Sequence, residues 1–137
     1  MKKASNILFL VGGILSFVMM GLEIIGGIIF AIFAGPDAKQ MIIDGLNNGT
    51  ITSDIAGTPE EVATILQGTF IMLAVMMFIF AVFALVNGIL ALKAKKDPAK
   101  KNCIINIVFG FLSGVLVNTV GGILGLFCLP KPEDKPE

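Results

Sequence analysis

The chain has 137 residues, 55 % of them hydrophobic and only 15 % charged, with ten basic groups balancing ten acidic ones. A single soluble core of that size has no room for so much apolar surface, so the excess is expected to face lipid, and zero net charge removes any general electrostatic case for nucleic acid. Histidine, tryptophan and tyrosine are absent, which takes away the commonest general base and metal ligand and the aromatic belts that usually anchor membrane helices.

Three apolar stretches, Ile7 to Phe33, Ala63 to Leu92 and Cys103 to Leu129, fill most of the chain. Each exceeds the roughly 20 residues that cross a hydrocarbon core as a helix. The expected fold is all-α, a single integral membrane helical bundle over residues 1–137. It has two long transmembrane helices plus a third apolar stretch that is either one long helix or a short helical hairpin, giving four helical segments.

The first span follows Lys2 and Lys3. It is longer than the roughly 7 to 15 residues of a secretory signal's apolar region and ends in Ile32-Phe33-Ala34, without the small-x-small cleavage pattern, so it is read as a membrane helix. Glu23 is the one ionisable side chain inside it. A charge at a helix centre costs about 3 kcal/mol on insertion scales, so this carboxyl needs a partner or a proton. Counting inward from the same face along a straight third stretch brings Asn118 and Thr119 to its level. Those three residues form the candidate intramembrane polar site, either a proton- or cation-handling carboxyl or a structural hydrogen bond to a neighbouring helix.

Residues 34–62 carry Asp37, Asp44, Asp54, Glu60 and Glu61 against Lys39 alone, and by the positive-inside bias belong on the outer face as an extracytoplasmic, partly helical cap. Within it Pro36-Asp37 can open a short helix to about Leu46, Asn47-Asn48-Gly49 reads as its stop, and Thr50 to Ile55 as irregular chain. Asp44, Asn47, Asn48 and Asp54 do not have the spacing of a calcium loop. Thr58-Pro59-Glu60-Glu61 is a capping-box start for the second long helix, which is expected to run to about Leu92.

Lys93, Lys95, Lys96, Lys100 and Lys101 make residues 93–101 a basic link, expected on the cytoplasmic side together with the N-terminus. In the last stretch Asn118-Thr119 followed by Gly121-Gly122 is a polar, glycine-rich interruption where a hairpin would turn. Gly122-Ile123-Leu124-Gly125-Leu126 echoes Gly88-Ile89-Leu90-Ala91-Leu92 at the inner end of the second span, in favour of the hairpin, whereas arms of about 12 to 16 residues fall short of a full span. Cys103 and Cys128 match no zinc or redox spacing and read as lipid-facing or packed small hydrophobic side chains. Residues 130–137 read as a disordered tail.

Small residues recur at four-residue spacing: Gly27, Ala31 and Gly35; Ala84 and Gly88; Gly110 and Gly114; Gly121 and Gly125. Such stripes let helices approach closely, and Asn87 and Asn106 are placed to add interhelical hydrogen bonds. Two apolar helices around an acidic outer segment, a Gly-Ile-Leu-Ala-Leu exit into a Lys-rich link, a Gly-rich final pair and a Lys-Pro tail together resemble the small Gly-rich, mainly Gram-positive bacterial membrane proteins catalogued as domain-of-unknown-function family 4064. The resemblance implies a small helical bundle of four segments and no site residues.

With no paired nucleophile and base and no metal cluster, the expected function is non-enzymatic and without cofactor or metal: a small multi-pass protein of the bacterial cytoplasmic membrane. Its partners would be the lipid bilayer and itself or another membrane component, in an accessory or immunity-type role. The alternative is an oligomeric channel or transporter that uses Glu23.

Overall fold

A computed structural model describes residues 2–96 and 99–129. The described residues are all-helical, with five helices among them: α1 (Lys2–Phe33), α2 (Pro36–Asn47), α3 (Pro59–Lys96), α4 (Lys100–Leu112) and α5 (Leu116–Phe127). Of these, α1 and α3 are long and apolar enough to cross a membrane; at 38 residues, α3 reaches about 57 Å at 1.5 Å per residue. The tail at 130–137 and Asp97 of the link lie outside the described residues.

The third apolar stretch is a hairpin, with its turn at Ser113-Gly114 rather than at Asn118 to Gly122. Gly114 has φ +70°, a left-handed conformation that costs glycine nothing, and its amide bonds back to the Phe111 carbonyl at 3.2 Å. Asn118, Thr119, Gly121 and Gly122 are instead helical, within α5. The expected link also shortens: Lys93, Lys95 and Lys96 form the last turn of α3, where cations suit the carbonyl end of the helix dipole, and Lys100 and Lys101 open α4.

Two compact units make up the chain, one from residues up to Gly21 and from Phe80 onward, the other from Leu22–Ile79. In the first, the early part of α1, the late part of α3, α4 and α5 form a four-helix ring in which every neighbour is antiparallel. Contacts that descend in step record this: Ser5 with Gly121 and Gly12 with Asn118 across α1 and α5; Gly13 with Leu92 and Phe17 with Gly88 across α1 and α3; Phe83 with Phe109 and Leu90 with Asn106 across α3 and α4. Between α4 and α5, Gly110 faces Thr119 and Gly122 faces Cys103 and Ile107. Phe9, Ala91, Ala94 and Cys103 are buried together, with Leu126 packed against them.

The second unit is built on the later part of α1 and the early part of α3. Met77 and Phe78 fit over Gly26 and Gly27, the Phe70 ring lies 6.3 Å from Phe30 and 5.7 Å from Phe33, and the Gln67 amide donates to the Ala34 carbonyl at 2.8 Å, satisfying an end carbonyl of α1. Asn48 stops α2 through a turn in which its Oδ1 accepts from the Thr50 amide at 3.0 Å and from the Thr50 hydroxyl. The α3 start is a complete capping box: the Thr58 amide donates to Glu61 Oε2 at 2.8 Å, and the Glu61 amide to Thr58 Oγ at 3.3 Å.

Within the apolar helices and the hairpin, several polar side chains lie inside and many large apolar ones outside. Ser5, Ser16, Asn87, Asn106, Ser113 and Asn118 are buried, while Ile7, Ile14, Leu22, Ile25, Phe111 and Phe127 are more than half exposed.

Candidate functional site

The most concentrated polar chemistry is a buried amide and hydroxyl layer in the first unit, where the α4–α5 turn meets α1 and α3. Its members are Ser16, Asn87, Ser113 and Asn118, one from each of α1, α3, the end of α4 and α5. Local register puts them there. On α1 the buried positions include Ser5, Phe9, Gly12, Ser16, Glu23 and Gly27, at steps of three, four or seven; on α3 they include Ala74, Ala81, Ala84, Asn87, Ala91 and Ala94. Each is one face of a helix, and on both it is lined mostly by small side chains.

Asn87 Nδ2 donates to Ser16 Oγ at 3.1 Å and to Ser113 Oγ at 2.8 Å, and Asn118 Nδ2 donates to Ser16 Oγ at 3.2 Å. The hydroxyls pass the hydrogen bonding on to backbone, Ser16 to the Gly12 carbonyl at 2.8 Å and Ser113 to the Phe109 carbonyl at 2.7 Å. Asn106 works the same way between α3 and α4, donating to the carbonyls of Leu90 at 3.1 Å and Asn102 at 2.8 Å. The layer therefore ties four helices together and holds the hairpin tip.

The amide oxygens of Asn87, Asn106 and Asn118 have no hydrogen-bond partner. For Asn118 the packing supplies a weaker one. A β-carbon at Gly12 would fall 1.7 Å from Asn118 Oδ1, so that oxygen meets a Gly12 Cα–H, a contact worth ~0.5–1 kcal/mol at helix interfaces.

The expected site of Glu23, Asn118 and Thr119 divides. Asn118 is bound to Ser16 and Thr119 donates to the Ile107 carbonyl at 3.4 Å, both in the first unit, whereas Glu23 belongs to the second, buried on its helix with Oε2 unpartnered. A common depth for the three requires a straight third stretch; because the chain reverses at Gly114, Asn118 runs back toward the level of Gly12 and Ser16.

Of the expected packing residues, Gly27, Ala84, Gly88, Gly110, Gly121 and Gly125 are buried, and Gly125 lies under Cys103 Sγ, which a β-carbon there would approach to 2.8 Å. The other three differ: Ala31 is exposed, Gly35 is the N-cap of α2, and Gly114 makes the turn. Gly12, Gly13 and Gly122 also pack closely, although no four-residue stripe of glycine and alanine marks them. Lys93, Lys95, Lys96, Lys100 and Lys101 are all exposed. Among the described residues no group of three or more Cys, Asp or Glu side chains is placed to hold a metal ion.

No protein-family model matches the chain, and neither a curated protein nor a solved structure does.

Proposed function

We propose that this is a non-enzymatic, multi-pass protein of the bacterial cytoplasmic membrane that acts by association with itself or with another membrane component, in an accessory or immunity-type role. The observation that carries the reading is the pattern within the apolar helices and hairpin, with amides and hydroxyls inside and isoleucine, leucine and phenylalanine outside, which suits a lipid solvent. The buried amides and hydroxyls are engaged in joining this chain's own helices, which supports a structural rather than catalytic use. At 13 and 12 residues, α4 and α5 reach about 20 Å and 18 Å, too short for a core of about 30 Å. The hairpin is therefore read as re-entrant, entering and leaving on the Lys-rich inner side, its irregular tip protected by the Asn87 and Ser16 side chains.

Affinity purification of a tagged copy from its host membrane in mild detergent tests the reading. A stoichiometric partner or a defined homo-oligomer is expected; monomer alone contradicts it. A second reading, a channel or transporter, is favoured by one observation, the buried unpartnered Oε2 of Glu23. It expects Glu23→Gln to abolish proton- or cation-dependent flux in liposomes while assembly persists, and unaltered flux removes it.

A further inference from the structure

The outer segment carries apolar surface that α2 and α3 leave uncovered. Within the second unit a groove of about 330 Å³ is lined by Leu46, Ile51, Thr52, Ile55, Pro59 and Val62. A second concavity of about 670 Å³ adjoins it across the α3 start, lined by Thr58, Glu60, Glu61, Thr64 and Ile65 among others. Ile51 and Ile55 stay 40 % and 39 % exposed, although the segment around them is polar. The groove is shaped by short-range bonding: the Ile51 amide donates to the Gly45 carbonyl at 2.9 Å, the Ile55 amide to Ser53 Oγ at 3.1 Å, and the Thr58–Glu61 capping box sets the far wall.

Charge says what would fill it. Residues 34–62 hold five carboxylates (Asp37, Asp44, Asp54, Glu60 and Glu61) against the single ammonium of Lys39, a net charge of −4. Glu60 and Glu61 line the second concavity, and Asp54 stands in the loop between Ser53 and Ile55, two residues that line the first. A second copy of the same segment, or an anionic lipid headgroup, would meet like charge, which selects against both. An apolar groove with an acidic margin complements a segment that is apolar on one face and basic on the other.

We propose that this groove docks a cationic amphipathic peptide segment, its apolar side chains seated among Leu46, Ile51, Ile55 and Val62 and its lysines or arginines facing Asp54, Glu60 and Glu61. The inference rests on the association reading and deepens it, because it names the chemistry of a partner on the outer side, a cationic membrane-active peptide.

The full-length protein in phosphatidylcholine nanodiscs, titrated with a fluorescent leucine–lysine amphipathic peptide against empty nanodiscs, tests it. Binding is expected to be saturable and to weaken as salt rises. Joint Asp54→Asn and Glu60→Gln substitution is expected to weaken it about three- to tenfold. Ile55→Ser, at an exposed side chain, is expected to do the same without altering the circular dichroism spectrum, and joint Lys100→Gln and Lys101→Gln substitution to leave binding unchanged. Binding no greater than to empty nanodiscs, equal binding of a leucine–glutamate peptide, or indifference to the groove substitutions overturns the proposal. If peptide binding fails while the tagged protein still retrieves a membrane partner or an oligomer, the groove assignment alone falls; if both fail, the association reading falls with it.

Discussion

At the residue scale, the close approaches are made by glycines whose missing β-carbons are occupied by specific atoms. A β-carbon at Gly122 would lie 2.7 Å from the Cys103 carbonyl oxygen, a backbone atom that no rotamer change can move. Gly122→Ala is therefore expected to push α4 and α5 apart and lower stability by ~1–3 kcal/mol, the usual range for overpacking. Gly68 has open space around its β-carbon position, so Gly68→Ala is expected to be neutral or to stabilise α3 by up to about 1 kcal/mol through helix propensity. Unfolding of the two variants in mild detergent checks the pair, and equal effects would contradict the close α4–α5 packing. Gly12→Ala is the intermediate case, because the clash is with a side chain, Asn118 Oδ1; Asn118 must rotate away, and with it goes the bond to Ser16. Gly12 and Ser16 are legible in the sequence as a small-x-x-x-small pair only if serine is counted with glycine and alanine. Gly110 and Gly125, which the four-residue pattern marks, are buried, but spacing alone does not distinguish a packing glycine from one at a helix end or turn, which is why Gly35 and Gly114 fall into the same stripes.

At the element scale, the polar layer couples the hairpin tip to the two long helices. Asn87→Ala removes hydrogen bonds to Ser16 and Ser113 while leaving the close α4–α5 contacts at Gly110 and Gly122. An interhelical hydrogen bond in a membrane is worth roughly 0.6 to 1.7 kcal/mol, so the expected outcome is a loss of that order per bond, with amide exchange rising at the tip, residues 110–117, before it rises elsewhere in α4 and α5. Uniform loss of protection over the whole chain would contradict a local tether. At the other end of α3, Thr58→Val removes the hydroxyl half of the capping box, and faster exchange of the Glu61 amide, which donates to that hydroxyl, is the expected readout. The capping box is legible because Thr-Pro-Glu-Glu states it in four adjacent residues. The hairpin is harder to read. Periodicity continues on both sides of Ser113-Gly114, and one glycine with positive φ in an apolar run carries less sequence signal than the polar break at Asn118 to Gly122. That break proves to be the buried face of α5, where an amide and glycines are used for contact.

For the molecule as a whole, the all-helical build with two long apolar helices is legible from hydropathy and length, since both are sums over many residues and survive local errors. The grouping of Glu23 with Asn118 and Thr119 is not, since it rests on a straight third stretch and the chain reverses at Gly114. The proposed topology belongs to this scale: it puts the acidic segment around Thr52 outside, and the ends of the hairpin, Lys100 and Cys128, inside with the N-terminus. One measurement tests it most directly, labelling by a membrane-impermeant maleimide in intact and permeabilised host cells. It needs two single-cysteine forms, Thr52→Cys with Cys103→Ser and Cys128→Ser, and the native Cys128 with Cys103→Ser. The cysteine at position 52 is expected to be labelled in intact cells and Cys128 only after permeabilisation. Labelling of both from the outside, or of Cys128 alone, would contradict a re-entrant hairpin on the inner face and the membrane placement built on it.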